Sequence, residues 1–170
     1  AVLGESAALA LETLAYGPNL NPSRHVKPRR NVYCGLAVFD KCLAPENAVI
    51  PITKGPNRPN SIDILGWCSQ SREFYVYEYY GLFHDFTPLL DVMRKDFHWY
   101  HRIGVDGISS EIGVWNELQL YAFSKCAWNH RLTADEILRA YCHSAYGLVA
   151  DEMLDHWNLL RRAKLDWNWN

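Results

Sequence analysis

The feature that most limits what this chain can fold into is the alternation of two periodicities. Short runs of β-favouring residues are separated by longer segments with helical spacing. "NVYCGLAVFD", residues 31 to 40, is a near-continuous apolar run, as expected of a strand buried on both faces of a parallel sheet. "FYVYEYY", within 73 to 80, is rich in the aromatic and β-branched residues that suit a pleated surface. Shorter strands are predicted over 11 to 16 and within "VDGISSEIG". Between them lie helical stretches, "SIDILGWCSQS" and "TPLLDVMRKDFHWYHRIG". In the second, Thr87 is a cap, Pro88 fits the first turn and Gly104 a stop. Leu89, Leu90, Met93, Phe97 and Tyr100 form its apolar face. The remainder is predicted helical, over 115 to 128, 133 to 146 and 149 to 164. Thr133 and Glu136 make a capping box there, and Gly147 a stop.

Strands alternating with helices predict an α/β fold with a parallel sheet. Four such strands, with polar residues at the loop tips, fit half of a (β/α)8 barrel, since a full TIM barrel needs roughly 250 residues. Half a barrel leaves open sheet edges. Three arrangements follow: a piece of a longer chain, a barrel closed by a second chain, or an open doubly wound sheet. The chain begins at Ala1, which leads us to expect that an upstream segment is missing. We divide the chain into a barrel-like part, 1–128, and a C-terminal helical extension of the same domain, 129–170.

Composition narrows the function. With 170 residues, 49% of them apolar and 21% charged, the chain reads as an ordinary globular domain. A net charge of -2 offers no electrostatic footprint for nucleic acid. No apolar run reaches the roughly 18 residues of a membrane span, and no signal peptide opens the chain. The five cysteines have no CxxC spacing and are expected to be mostly free, buried thiols, although one disulfide is compatible with the count. His98 and His101 lie three apart on one helix, a spacing open to metal ligation, but no third ligand is evident from the sequence. No cofactor or metal motif is present. Seven Trp and ten Tyr exceed what a core of this size needs, and flat aromatic surfaces suit sugar rings.

Several segments, taken in order, resemble one family. They are "TLAYGP", "NVYCGLAVFDKC", the helix holding Asn60 and Trp67, "FYVYEYYG", "GVDGISSE" and "ELQLYAFSKCAWNHRLTADEILRAYCHSAYG". Together they look like the C-terminal half of an uncharacterised bacterial family, a domain of unknown function with a glycoside-hydrolase-like barrel. It neighbours α-glucuronidases and β-N-acetylhexosaminidases. The resemblance implies that strands 5 to 8 of a TIM barrel lie here, followed by C-terminal helices. It further implies a carbohydrate substrate, an extracytoplasmic location, and a partner in the other barrel half or a second chain that closes the barrel. Glu78 stands where an aspartate is common in that pattern.

In a barrel the chemistry sits where strands end in loops. Glycosidases use two carboxyl groups roughly 5 to 9.5 Å apart, and neighbouring strands lie about 4.8 Å apart. Glu78 and Glu111, at the ends of consecutive strands, are therefore the expected catalytic pair. Period-2 alternation puts Glu78 on a face with Phe74, Val76 and Tyr80, which we expect to open into a pocket. The structural alternative is a glutamate paired with an arginine such as Arg102 or bonded to tyrosine hydroxyls. Tyr16, Asp40, Tyr79, Tyr80 and Trp115 are the expected substrate-binding residues. A glycoside hydrolase and a carbohydrate-binding or assembly module without activity are the two functions to separate.

Overall fold

A computed structural model describes residues 10–43, 45–81, 89–113 and 116–165, with the backbone alone at 42, 43, 45, 46, 164 and 165. Strand β1 (Leu11–Ala15) is followed by β2 (Val32–Ala37), the short helices α1 (Asp40–Leu43) and α2 (Pro45–Ala48), and α3 (Arg58–Gln70). Then come β3 (Phe74–Glu78), α4 (Leu90–Ile103), β4 (Gly107–Ser110), α5 (Glu117–Trp128), α6 (Ala134–Tyr146) and α7 (Ala150–Leu165). The predicted strands are each trimmed. In particular, Asp40 does not end a strand but starts α1.

The four strands form one sheet in the order β1-β2-β3-β4, every pair parallel. The register aligns Cys34 with Phe74, Leu36 with Val76, and Glu78 with Ser110. Cys34, Leu36, Phe74 and Val76 are closed off, and they share a core with Ile64 of α3 and with Trp99 and Tyr100 of α4. This face therefore packs against helices. The other face carries Glu12, Leu14, Tyr33, Gly35, Ala37, Tyr75, Tyr77, Gly107 and Ser109 by alternation from the same register. Its side chains larger than alanine are all half-buried or exposed.

A second core joins α4 to the C-terminal helices. Met93 and Phe97 of α4 meet Leu118 and Ala122 of α5, Ile137 and Leu138 of α6, and Ala150 of α7. Arg161 of α7 forms ion pairs with Asp91 of α4 and Asp135 of α6, tying the last helix to both. The caps read from the sequence have physical counterparts. Thr133 Oγ1 accepts from the Glu136 N–H at 3.2 Å, and Glu136 Oε2 accepts from the Thr133 N–H at 2.7 Å. Gly104 ends α4 with φ at 83°. Thr87 and Pro88 lie outside the described residues. The four described side chains of cysteine, at 34, 68, 126 and 142, are free thiols, and Cys42 lies outside that description.

The chain leaves β3 through Gly81, whose φ of 87° is costly for any residue with a Cβ. A Cβ there would also stand 2.6 Å from the Asn116 Nδ2, which donates to the Gly81 carbonyl at 3.0 Å. We predict that Gly81→Ala lowers stability by at least about 1 kcal/mol. A denaturation midpoint equal to that of the parent would show that the strand exit tolerates a side chain.

Candidate functional site

Glu78 ends β3 on the helix-facing side, and its environment differs from the expected pocket. It is 1% exposed. Lys41 of α1 lies 3.3 and 3.4 Å from its two carboxylate oxygens. The Tyr80 hydroxyl is 3.1 Å away, and the Tyr100 hydroxyl donates to the same oxygen. Lys41 also pairs with Asp96 of α4, which accepts the Ile52 N–H at 2.8 Å. The ammonium sits 4.6 Å above the Tyr80 ring. Two carboxylates, one lysine and two tyrosines thus share a dry volume between β3, α1 and α4.

The electrostatics of this group follow from burial. Loss of water pulls the Lys41 ammonium down, but the charges of Asp96 and Glu78 outweigh it and the net shift is upward. Burial pushes Asp96 up, against the pull of Lys41, and the nearby charge of Glu78 adds to the rise, which takes it to about 6. The two shifts are compatible, because one ammonium cannot neutralise two buried carboxylates. Proton supply agrees with this. The single Tyr80 proton lies within reach of Glu78 at 3.1 Å and Asp96 at 3.0 Å, and it can serve only one of them. Burial, then the charge of Asp96, pushes Tyr80 well up, and burial, then the charge of Glu78, does the same to Tyr100.

These contacts correct the pairing of Glu78 with Glu111 in one pocket. The Glu111 N–H donates to the Glu78 carbonyl at 2.9 Å, so the two are neighbours along the backbone. Their side chains part: Glu78 is closed under the helices and Glu111 is exposed. The face of Phe74, Val76, Glu78 and Tyr80 packs on helices because all of it, the glutamate included, finds partners there. Tyr80 is accordingly 2% exposed and belongs to the ion network rather than to a ligand surface. The partner of Glu78 is Lys41, not Arg102.

On the opposite face a different group assembles. Tyr16 follows β1, Phe39 follows β2, and Tyr77 and Tyr79 lie at the end of β3. Their rings form a chain of edge-to-face contacts: Tyr16 to Phe39 at 5.9 Å, Phe39 to Tyr79 at 4.9 Å and Tyr79 to Tyr77 at 5.2 Å. Asp40, next to Phe39, and Glu111, beside the end of β3, are exposed carboxylates at the same end of the sheet. Of the expected substrate-binding residues, the structure therefore brings Tyr16 and Tyr79 into one ring chain and leaves Asp40 at its strand-end border, beside Glu111 of the expected catalytic pair. Trp115 lies outside the described residues.

The sequence of residues 1–157 matches the family described as Domain of unknown function (DUF4838). The chain belongs to that family. No curated protein and no solved structure matches this DUF4838 chain.

Lys41 and Phe39 were absent from the sequence reading because the strand was carried through to residue 40. Asp96 had a legible signal: it lies next to Phe97 and three residues after Met93 on the apolar face of α4, where an unpaired carboxylate is costly. His130 was missed too. Its ring stacks on His101 at 3.8 Å and lies 5.8 Å from His98. Among the described residues, no group of three or more His, Cys, Asp or Glu is arranged to hold a metal, and no helix is long and apolar enough to cross a membrane.

We predict that Lys41→Met destabilises the chain by about 3 to 5 kcal/mol, because it leaves two buried carboxylates without a cation. Combining it with Glu78→Gln and Asp96→Asn should restore most of the loss. Urea denaturation of the three proteins checks this, and a single variant within about 1 kcal/mol of the parent would contradict a closed ion network.

Proposed function

We propose that this DUF4838 chain is part of a carbohydrate-active protein, and that it contacts glycan through the aromatic rings at the C-terminal ends of its strands. The observation that carries the reading is the ring chain Tyr16–Phe39–Tyr79–Tyr77, bordered by the exposed carboxylates Asp40 and Glu111. Aromatic faces stack on the C–H faces of sugar rings, and carboxylates accept sugar hydroxyls. Four successive strands deliver these groups to one end of a parallel sheet, the end where such folds bind their ligands.

The reading includes a (β/α)8-type architecture. Its support is the unbroken order of parallel strands together with helix packing on the Phe74 and Val76 face. A doubly wound sheet reverses its strand order at a switch point and carries helices on both faces. The resemblance to glycoside-hydrolase-like barrels agrees with this architecture and supplies the substrate class.

Binding is favoured over hydrolysis within this chain. Hydrolysis needs two carboxyl groups about the scissile bond. Glu78 is held by Lys41, and among the pair first expected only Glu111 faces solvent.

The test is titration calorimetry of chitohexaose, cellohexaose and xylohexaose against the chain, with the products analysed for cleavage. The expected result is binding of one of them, weakened at least about tenfold by Tyr79→Ala, the equivalent of 1.4 kcal/mol. Should cleavage occur, Glu111→Gln is expected to slow it by about a hundredfold or more. No binding of any of the three, or binding indifferent to Tyr79→Ala, would overturn the assignment of this face.

A further inference from the structure

The strand ends that carry the ring chain have a sign as well as a shape. On the side away from the helices, no Lys, Arg or His stands among the described residues of the four strands. Glu111 follows β4 beside Tyr79, its N–H bonded to the carbonyl of the preceding residue, Glu78, at 2.9 Å. Asp40 follows Phe39 at the end of β2. Both carboxylates are exposed, and among the described residues neither forms an ion pair. Lys41, next in sequence to Asp40, is turned away: it is 3% exposed and held by Glu78 and Asp96. The fold thus withdraws an ammonium from this end of the sheet and leaves two negative groups there beside four rings.

The rings add to the same preference. An aromatic face carries partial negative charge and its edge partial positive charge, and cations settle over the faces of Tyr and Phe within about 6 Å of the centroid. The molecule already shows the contact on its closed side, where the Lys41 ammonium sits 4.6 Å above the Tyr80 ring. On the open side the chain Tyr16–Phe39–Tyr79–Tyr77 offers rings with no ammonium of the described strands to cover them. A neutral sugar would gain stacking and hydroxyl bonds here. A sugar that also bears an ammonium would gain attraction from both carboxylates and from the ring faces. A sugar bearing carboxylate or sulfate would be repelled.

We propose that the glycan taken by this surface carries free amino groups, as in a 2-amino-2-deoxy sugar, and that its ammonium is held by Asp40, Glu111 and the tyrosine faces. This rests on the carbohydrate reading above and names the substrate class of the same site. A single exposed ion pair contributes little, about 1 kcal/mol or less, so the preference depends on the rings and both carboxylates acting together.

The experiment is titration calorimetry of three β-1,4-linked hexasaccharides that differ only at carbon 2: the glucosamine hexamer with an amine, chitohexaose with an acetamide and cellohexaose with a hydroxyl. At about pH 6, with the amine protonated, the glucosamine hexamer is expected to bind at least about tenfold more tightly than either neutral ligand. In about 1 M salt, where the screening length is about 3 Å, that preference should fall to within about threefold. The double variant Asp40→Asn with Glu111→Gln keeps the shape and loses the charge, and should bring the ratio to within about twofold. Each single variant should remove part of the preference. Both side chains are exposed, so these variants are expected to keep the denaturation midpoint of the parent. Tyr79→Ala should weaken all ligands that bind. Binding of the neutral hexasaccharides without preference for the amine, or a preference that survives the double variant, would overturn the amino-sugar assignment and leave the carbohydrate reading standing. Absence of all binding, or binding of the glucosamine hexamer alone that is indifferent both to Tyr79→Ala and to the double variant, would overturn both.

Discussion

Everything at the strand ends hangs on one buried ammonium. Lys41 brings Glu78 of β3 and Asp96 of α4 to a single point, and α1, which carries it, begins three residues after β2 ends. Charges in a dry interior are expensive unless matched, and here the match is incomplete by one unit when all three groups are ionised. Asp96, raised to about 6 by burial and by the charge of Glu78, takes up a proton as the pH falls through that value. With Asp96 protonated the cluster is neutral, and the tyrosine hydroxyls have enough protons to satisfy both carboxyl groups. The network is thus a clamp between β2, β3 and α4, with its charge balance tuned by a proton.

The clamp has consequences on the far side of the sheet. Alternation fixes what its neighbours do. With Glu78 drawn toward the helices, Tyr77 and Tyr79 must point the other way. With Lys41 drawn inward, Phe39 two residues before it is placed to meet Tyr79 at 4.9 Å. The closed ion cluster and the aromatic surface are therefore two faces of the same strand ends. Glu78, expected at the site from the sequence, is closed off from solvent and paired with Lys41.

The elements themselves were legible. Strand runs, the capping box at Thr133 and Glu136, and the Gly104 stop are local features, set by propensities that act within a few residues. The parallel sheet followed from their order. What the sequence withheld was the identity of the inner face. Phe74, Val76 and Glu78 were correctly placed together, yet which side of a parallel strand meets helices is a tertiary matter, and both faces of β3 are rich in apolar and aromatic groups. The partner of Glu78 lay 37 residues away at Lys41, and nothing in the spacing of "FDKC" distinguishes a buried lysine from a surface one.

The most direct test of the clamp is the titration of the Asp96 side-chain carbon followed by carbon-13 NMR. A carboxyl group buried against Glu78 and Lys41 should change protonation near pH 6, well above the usual range of an aspartate. A midpoint near 4, the value of a solvated carboxylate, would mean that water reaches the cluster, and that Glu78 and Lys41 do not fix the strand ends as described.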